Sequence, residues 1–265
     1  MSKVTARIER DVIVATGKDA RSFLHSQLSN DIASLAAGAA THAFALEPTG
    51  KITALFRVHC VADDHFVLDV DAGCGEVALQ RLNKFKIRVQ CNFVLTTQTI
   101  IALRGLDEAE TLRALTEPSA IRAWRVGDGA VDMFDSAADT PTVPADSQSA
   151  YHAARVRCGW PIFNVDISSA SLPAETGLVD VAVSFTKGCY PGQELVERMD
   201  SRGSTAPLCL MRLPALAPGG ERAVTGEPYR TTAGELGQCT SVAGEFALVL
   251  VRRAHLGDAQ ALLHP

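Results

Sequence analysis

The most constraining stretch of this 265-residue chain is residues 187–194, Lys-Gly-Cys-Tyr-Pro-Gly-Gln-Glu. Its two glycines permit backbone conformations and close approaches that are closed to residues with a Cβ atom, and its proline stiffens the segment. The pattern therefore predicts a tight turn around Cys189. Lys187 lies two residues before this thiol, and a nearby cation favours the reactive thiolate form of cysteine. The alternative is an unreactive, buried cysteine that only shapes the turn.

Several classes of protein are disfavoured by motifs and composition. The seven cysteines are scattered without a CxxC pair, which argues against a disulfide framework and against a self-contained zinc or iron–sulfur site. The seven histidines show no metal-ligand spacing, and neither GxGxxG nor GxSxG occurs. A net charge of −5 disfavours a general nucleic-acid binder. Without a long apolar run or a signal-like start, the chain is expected to be cytoplasmic and free of membrane segments.

The order of apolar patterns and turn residues predicts an α+β fold and not a doubly wound sheet. Strands are predicted over residues 4–16, 41–46, 52–61, 66–70, 87–95, 99–103, 208–213, 237–240 and 246–251. Helices are predicted over residues 19–28, 75–85, 108–115 and 151–158, and a hairpin joins 121–126 to 130–134. Residues 136–149 are polar and are expected to form a loop between two halves of the molecule.

A change of pattern near residue 205 predicts a domain boundary. Beyond it, short strands alternate with glycine and proline turns, which is typical of a small β-barrel. We therefore expect an α+β region of two interleaved subdomains at residues 1–205 and a C-terminal β-barrel at residues 206–265. The basic run at residues 81–88 is interpreted as a solvated face, with a binding site for an anionic tail as the alternative.

The octapeptide resembles the K-G-C-Y-x-G-Q-E signature of the YgfZ family of folate-binding proteins. These are relatives of the glycine-cleavage T protein, an aminomethyltransferase, and of a mitochondrial iron–sulfur assembly factor. Further segments of the chain agree with the family, namely residues 17–20, 23–24, 27–31, 50–51, 159–161 and 173–175. The resemblance implies a ring of three domains around a central folate channel, together with a C-terminal β-barrel.

The resemblance also implies tetrahydrofolate, or a folate derivative, as cofactor. Glu175 matches the family's carboxylate for the amino and imino donors of the pteridine ring, because a carboxylate accepts both hydrogen bonds. Tyr151 stands where relatives place an aromatic residue against folate, although a helix-core role is an equal alternative. Lys187, Arg198 and Arg202 carry donors suited to the glutamate tail, with solvent exposure favoured for Arg202. The other motif residues that we single out are Gly188, Tyr190, Gly192, Gln193 and Glu194.

One departure from the family pattern bears on catalysis. The aminomethyltransferases carry an acidic residue just after the early glycine hairpin, whereas Gly50-Lys51 is followed here by Ile-Thr-Ala-Leu. General acid–base assistance at that position is therefore missing. The same Gly50-Lys51 pair does not make a phosphate loop, because Ala45 and Ile52 break the required pattern. Whether the chain is an enzyme stays open.

Three hypotheses follow. The leading one is a tetrahydrofolate-binding protein that supports assembly or repair of iron–sulfur clusters through Cys189, with Lys187 polarising the thiol and with client or assembly proteins as partners. The second is a folate-dependent one-carbon transferase with an unknown donor. The third is a non-catalytic folate-binding module in which Cys189 only shapes the turn. Nucleic acid and membrane are not expected as partners.

Overall fold

The computed structural model describes residues 3–117, 119–134, 143–144, 147–201, 203 and 206–263. Much of the loop predicted at 136–149 lies outside these residues, as do Arg202 and the proposed boundary residue Thr205. None of the helices in the described ranges is both long and apolar enough to cross a membrane.

Within these ranges, the larger sheet has seven antiparallel strands in the order β2-β3-β4-β1-β5-β7-β6. The strands are β1 (Val4–Thr16), β2 (Ala40–Leu46), β3 (Ile52–Ala62), β4 (His65–Asp71), β5 (Asn92–Arg104), β6 (Ala120–Arg122) and β7 (Val131–Phe134). Each of these strands except β5 lies where the apolar alternation predicted one, because period-2 patterns fit a sheet with one face against the core.

One strand prediction was wrong. The two strands expected at residues 87–95 and 99–103 are a single strand, β5, that begins at Asn92. All thirteen of its residues pair with β1, from Asn92 opposite Thr16 to Arg104 opposite Val4. A long partner strand supplies hydrogen bonds to the polar residues in the middle of β5, which had suggested a break in the strand.

Helices cover both faces of this sheet. They are α1 (Ala20–Gln27), α2 (Gly75–Lys84), α3 (Glu108–Ala114), α4 (Ser147–Cys158), α5 (Val179–Ala182), α6 (Gln193–Ser201) and α7 (Leu256–Ala261). The main core lies under α1 and α2, where Phe23 and Leu24 pack with Phe56 and Phe66. Tyr151 of α4 packs on the small cluster formed by the opposite face of β1 and β5. The sheet therefore has an outer face under α1 and α2 that is mostly apolar and an inner face that α4 partly covers.

A second sheet of four antiparallel strands, in the order β8-β11-β10-β9, is present among residues 206–263. Its strands are β8 (Leu208–Pro214), β9 (Pro228–Thr231), β10 (Gly234–Ala243) and β11 (Phe246–Arg252). Tyr229, Val249 and Val251 are buried in a core of its own. The fold is thus α+β, with a curled larger sheet and a separate smaller sheet. The sequence pattern missed β9, which is a short strand of four residues.

Two hydroxyl groups of the smaller sheet bind a buried ion pair that belongs to the rest of the molecule. Arg155 of α4 donates to Asp166 over 2.7 Å, and both side chains are almost completely inaccessible to solvent. The Asp166 carboxylate also accepts hydrogen bonds from the hydroxyls of Thr240 and Ser241 in β10, at 2.6 and 2.7 Å. Every oxygen of Asp166 is therefore satisfied, which is the condition under which burying a charge is tolerated.

We predict that Asp166→Ala lowers the free energy of unfolding by about 3–5 kcal/mol, because it leaves Arg155 buried without its counter-charge. Urea denaturation measures this change. The control is Glu235→Ala in strand β10 of the smaller sheet. It removes an exposed pair with Arg252, and exposed pairs contribute about 1 kcal/mol or less. Equal losses in the two variants would contradict the assignment of Asp166 as the anchor of the smaller sheet.

Candidate functional site

The octapeptide forms a turn that leads directly into helix α6. Gly192 has a positive φ of 83°, and α6 begins at the next residue. The side chain of Gln193 accepts a hydrogen bond from the backbone N–H of Tyr190 at 3.3 Å, while the Tyr190 ring is buried in the main core. The predicted turn is present. The helix after it was not predicted, because its apolar face is short and most of its residues are polar.

Cys189 is the exposed thiol of this protein. All seven cysteines belong to the described residues, and the other six are buried or partly buried. Burial raises the pKa of Cys74, Cys158 and Cys239 to about 11, so these thiols stay protonated and unreactive at neutral pH. A reaction of a surface thiol in this protein would therefore take place at Cys189.

Lys187 is held by the end of helix α1. Its Nζ donates to the carbonyl oxygens of His25 and of Leu28, the latter at 2.5 Å. These carbonyls belong to the last turn of α1, where no helical N–H reaches them. Burial lowers the pKa of Lys187 to about 8, against the opposing effects of Asp31 and Cys189. Lys187 thus fixes the start of the octapeptide to α1.

Two polar residues after α1 fix the segment that precedes the octapeptide. The Ser29 hydroxyl donates to the carbonyl of Ala182 at 2.6 Å. The Asn30 amide donates to the carbonyls of Val181 and His42, at 2.9 and 2.8 Å. We call these contacts the Ser29–Asn30 bridge. It joins α5, and so the approach to Cys189, to strand β2.

The hairpin between β2 and β3 packs directly against the octapeptide. A Cβ atom on Gly192 would lie 2.7 Å from the Glu47 carbonyl oxygen and 3.1 Å from the Cα atom of Gly50. On its other side the hairpin is held by Arg81, which is buried and donates to the Leu46 carbonyl at 2.6 Å. The expectation that residues 81–88 form only a solvated face is therefore wrong for Arg81. The two glycine segments that the sequence singled out separately are in contact.

The inner face of the larger sheet carries buried charges that the sequence interpretation did not identify. Arg57 donates to Asp69 at 2.9 Å and to Asp132 at 2.7 Å, and Arg10 donates to Asp69 at 2.8 Å. The complete ion-pair chain, in spatial order, is Asp71–Arg10–Asp69–Arg57–Asp132–Arg104. Three cations and three anions alternate, so the ion-pair chain carries no net charge. The sequence signal that could have identified these residues was the presence of charged side chains within otherwise apolar strands.

Two neighbouring spaces lie beside this ion-pair chain. The inner cavity is bordered by His42, Leu55, Trp124 and Trp160 and has a volume of about 20 Å³. The outer pocket has a volume of about 550 Å³. They share a wall made of Ile8, Arg10, Asp71, Tyr151 and Ile162. A space of 20 Å³ holds about one water molecule, whereas pockets for small-molecule ligands measure about 300–1,000 Å³.

The residues expected to bind folate lie on three different elements, α4, the short turn before α5, and α6. Tyr151 lines both spaces. Glu175 is buried elsewhere, near the start of β8, and accepts a hydrogen bond from the Leu172 N–H at 2.9 Å. Burial raises its pKa, against the backbone N–H groups of Leu172 and Leu208 and the charge of Lys51. Arg198 is exposed on α6. In the described part of the chain, no group of three or more His, Cys, Asp or Glu residues is placed to hold a metal ion.

We predict that Gly192→Ala destabilises the protein by about 2 kcal/mol, because it adds the strain of a positive φ to a backbone clash with the hairpin. Gly188→Ala is the matched control in the same turn, since a Cβ atom there has no neighbour within 4 Å. Urea denaturation of both variants tests the contact. A Gly188→Ala variant as destabilised as Gly192→Ala would show that the loss is not due to the hairpin.

We predict that His42 makes the stability of the folded protein dependent on pH. Its Nε2 donates to the Ala123 carbonyl at 3.2 Å, and burial, helped by the charge of Arg57, lowers its pKa from 6.5 to about 3. As the pH falls below 6.5, His42 therefore binds a proton in the unfolded chain but not yet in the folded protein. This difference in proton binding favours unfolding.

Between pH 7 and pH 5, the wild type is predicted to lose about 2 kcal/mol more stability than His42→Gln. Urea denaturation at the two pH values measures this difference. His255→Gln, at a half-exposed position near the C-terminus, is the control and should follow the wild type. Parallel pH curves for wild type and His42→Gln would rule out this role of His42.

Comparison with known proteins finds one matching domain and several similar proteins. The GCVT N-terminal domain matches residues 10–138. An uncharacterised protein of Haemophilus influenzae is 27% identical over 206 residues, covering 77% of this chain and 71% of that protein. The tRNA-modifying protein YgfZ of Vibrio vulnificus is 25% identical, covering 72% of this chain and 64% of that protein. The mitochondrial iron–sulfur cluster assembly factor IBA57 homologue of Neurospora crassa is 30% identical, covering 76% and 51%. The chain thus spans about half to 71% of the length of these relatives.

A solved structure supports the same relationship at the level of the fold. The glycine cleavage system aminomethyltransferase T from Bartonella henselae superposes with a TM-score of 0.73 at 18% identity, covering 95% of this chain and 79% of that one. The aminomethyltransferase-like fold expected from the sequence is confirmed. The matched domain and the YgfZ-named relatives support the interpretation of this chain as a YgfZ-type, GcvT-like protein.

Proposed function

We propose that this protein binds a tetrahydrofolate and supports the assembly or repair of iron–sulfur clusters in client proteins, with Cys189 as the working thiol. The observation that carries the proposal is the placement of Cys189. It is the exposed cysteine, and it lies in a turn held by Lys187, by the Ser29–Asn30 bridge and by the β2–β3 hairpin. A thiol that only filled the core would not need this support at the surface.

The names of two relatives agree with this function. The protein from Neurospora crassa is described as an iron–sulfur cluster assembly factor, and the one from Vibrio vulnificus as a tRNA-modifying protein. Both descriptions belong to those proteins. They support placing this chain in cluster or tRNA-modification chemistry, and the exposed thiol favours the handling of clusters, because thiolates are the ligands of iron–sulfur clusters.

The residues around the outer pocket fit a folate by size and chemistry. Its volume of about 550 Å³ lies within the range of about 300–1,000 Å³ for ligand pockets. Tyr151 offers an aromatic wall, Asp71 an acceptor-only group, and Arg7 and Arg10 donors for carboxylates. The inner cavity does not fit a pteridine ring, because the ion-pair chain leaves about 20 Å³. Bound folate would supply a one-carbon carrier or a structural ligand.

The mechanism assigned to the chain's own residues is simple. Cys189 offers one thiolate, and one thiolate cannot hold a [2Fe–2S] or [4Fe–4S] cluster alone. A partner protein therefore supplies the other ligands while the cluster, as cargo, contacts Cys189. Lys187 and the hairpin keep the Sγ atom at the surface, so a partner's cluster can reach it without unfolding the turn.

The test is reconstitution of a purified apo [4Fe–4S] dehydratase with a cluster-loaded scaffold protein, in the presence and absence of this protein. Cys189→Ser should lower the stimulated rate of activation at least tenfold. Its thermal unfolding temperature should stay unchanged, because the side chain is exposed. Cys209→Ser, at a partly buried position, is the matched control and should keep the stimulation. Full stimulation by Cys189→Ser would refute the role of the thiol.

A further inference from the structure

We propose that the groove between α5 and α6 is the docking site for the protein that brings the iron–sulfur cluster, and that it binds an amphipathic segment with one apolar and one basic face. This inference rests on the function proposed above and names the surface that holds the partner near the thiol. We call this surface the Phe185 groove. It is lined by Val179, Phe185 and Val196 and by the carboxylates of Asp180 and Asp200.

Phe185 is the one exposed aromatic residue in the part of the chain that the structure describes. It is 40% exposed, whereas the other aromatic residues of these ranges are buried or half-buried. An aromatic side chain left in water forgoes the free energy that its burial would contribute. The space beside Phe185 has a volume of about 300 Å³. This space suits an apolar side chain of a partner, because aromatic anchors and the pockets beside them dominate the binding energy of protein interfaces.

The charges around the Phe185 groove favour a basic partner. Asp200 lines the groove, and Glu197, three residues earlier on α6, lies on the same side of the helix. Neither carboxylate forms an ion pair among the described residues. Arg198, two residues before Asp200, lies about 200° around the helix axis and so on the opposite side. On the facing wall, Asp180 is already paired with Arg125 at 3.2 Å. The carboxylates of α6 therefore leave the groove with a net negative charge.

The Phe185 groove lies close to the exposed thiol. Phe185 is four residues before Cys189, and four residues span at most about 14 Å. The residue before Phe185 is fixed to the fold, because the backbone N–H of Ser184 donates to the carbonyl of Ser29 at 2.9 Å. A partner seated in the groove is therefore held within reach of Cys189 while its cluster contacts the thiol.

Fluorescence anisotropy with a labelled amphipathic peptide tests the chemistry of the groove. The probe has leucines along one helical face and lysines along the other, and a second probe has glutamates in place of the lysines. The lysine peptide should bind the wild type at least tenfold more tightly than the glutamate peptide, and Phe185→Ser should weaken its binding at least tenfold. Leu216→Ser, at an apolar position that is 60% exposed and outside the groove, is the control and should bind like the wild type. Equal binding of the two peptides, or unchanged binding by Phe185→Ser, would overturn the inference.

A charge reversal gives a second variant at an exposed position. Asp200→Lys should weaken binding of the lysine peptide and strengthen binding of the glutamate peptide, because it changes the sign of the charge that the peptide meets. Added salt should weaken binding of the lysine peptide to the wild type, since exposed charges are screened. Binding of both peptides that is unaffected by Asp200→Lys would overturn the assignment of a basic partner.

The reconstitution assay described above separates docking from the chemistry of the thiol. Phe185→Ser should raise, at least tenfold, the concentration of cluster-loaded scaffold protein that gives half-maximal stimulation, while the maximal rate stays within twofold of the wild type. Cys189→Ser should instead lower the maximal rate. An unchanged half-maximal concentration in Phe185→Ser would overturn the inference alone, whereas a wild type that gives no stimulation would overturn the proposed function.

Discussion

The ion-pair chain on the inner face of the larger sheet is the constraint on which the interior of this protein depends. It links five strands through alternating guanidinium and carboxylate groups. Burial raises the pKa of Asp132, but Arg104 and Arg57 outweigh it and hold that pKa below its usual range. Removing one member of such a chain leaves an uncompensated buried charge, which costs about 3–5 kcal/mol. The six side chains of the ion-pair chain therefore depend on one another for their stability. They also occupy space that a ligand would otherwise take.

The same constraint shapes the proposed ligand site. The ion-pair chain ends with the pair formed by Arg10 and Asp71. Buried charges therefore lie on one side of this pair, and an open pocket lies on the other. Leu55 borders the inner cavity a few residues after Gly50-Lys51, at the segment where the aminomethyltransferase pattern has an acidic residue. An apolar side chain cannot transfer a proton.

The exposed thiol is positioned by a different set of forces. Helix α1 ends in carbonyls that Lys187 satisfies, and the Ser29–Asn30 bridge ties α5 to β2. Glycines at 50 and 192 allow the hairpin and the octapeptide to touch at backbone distance. These contacts involve the supporting backbone and leave the Cys189 side chain exposed. The same bridge reaches the carbonyl of His42, whose ring borders the inner cavity, so thiol and cavity share one support.

The sequence by itself determined the local features of this protein. Glycine and proline chemistry predicted the turn around Cys189, and apolar alternation located most strands, because both depend on neighbouring residues. Only the tertiary structure decided that Arg81 is buried and that β5 is continuous. It also brought Asp71 and Arg10 together from separate strands. These outcomes depend on which strands pair and which charges meet, and the residues involved are tens of positions apart in the chain.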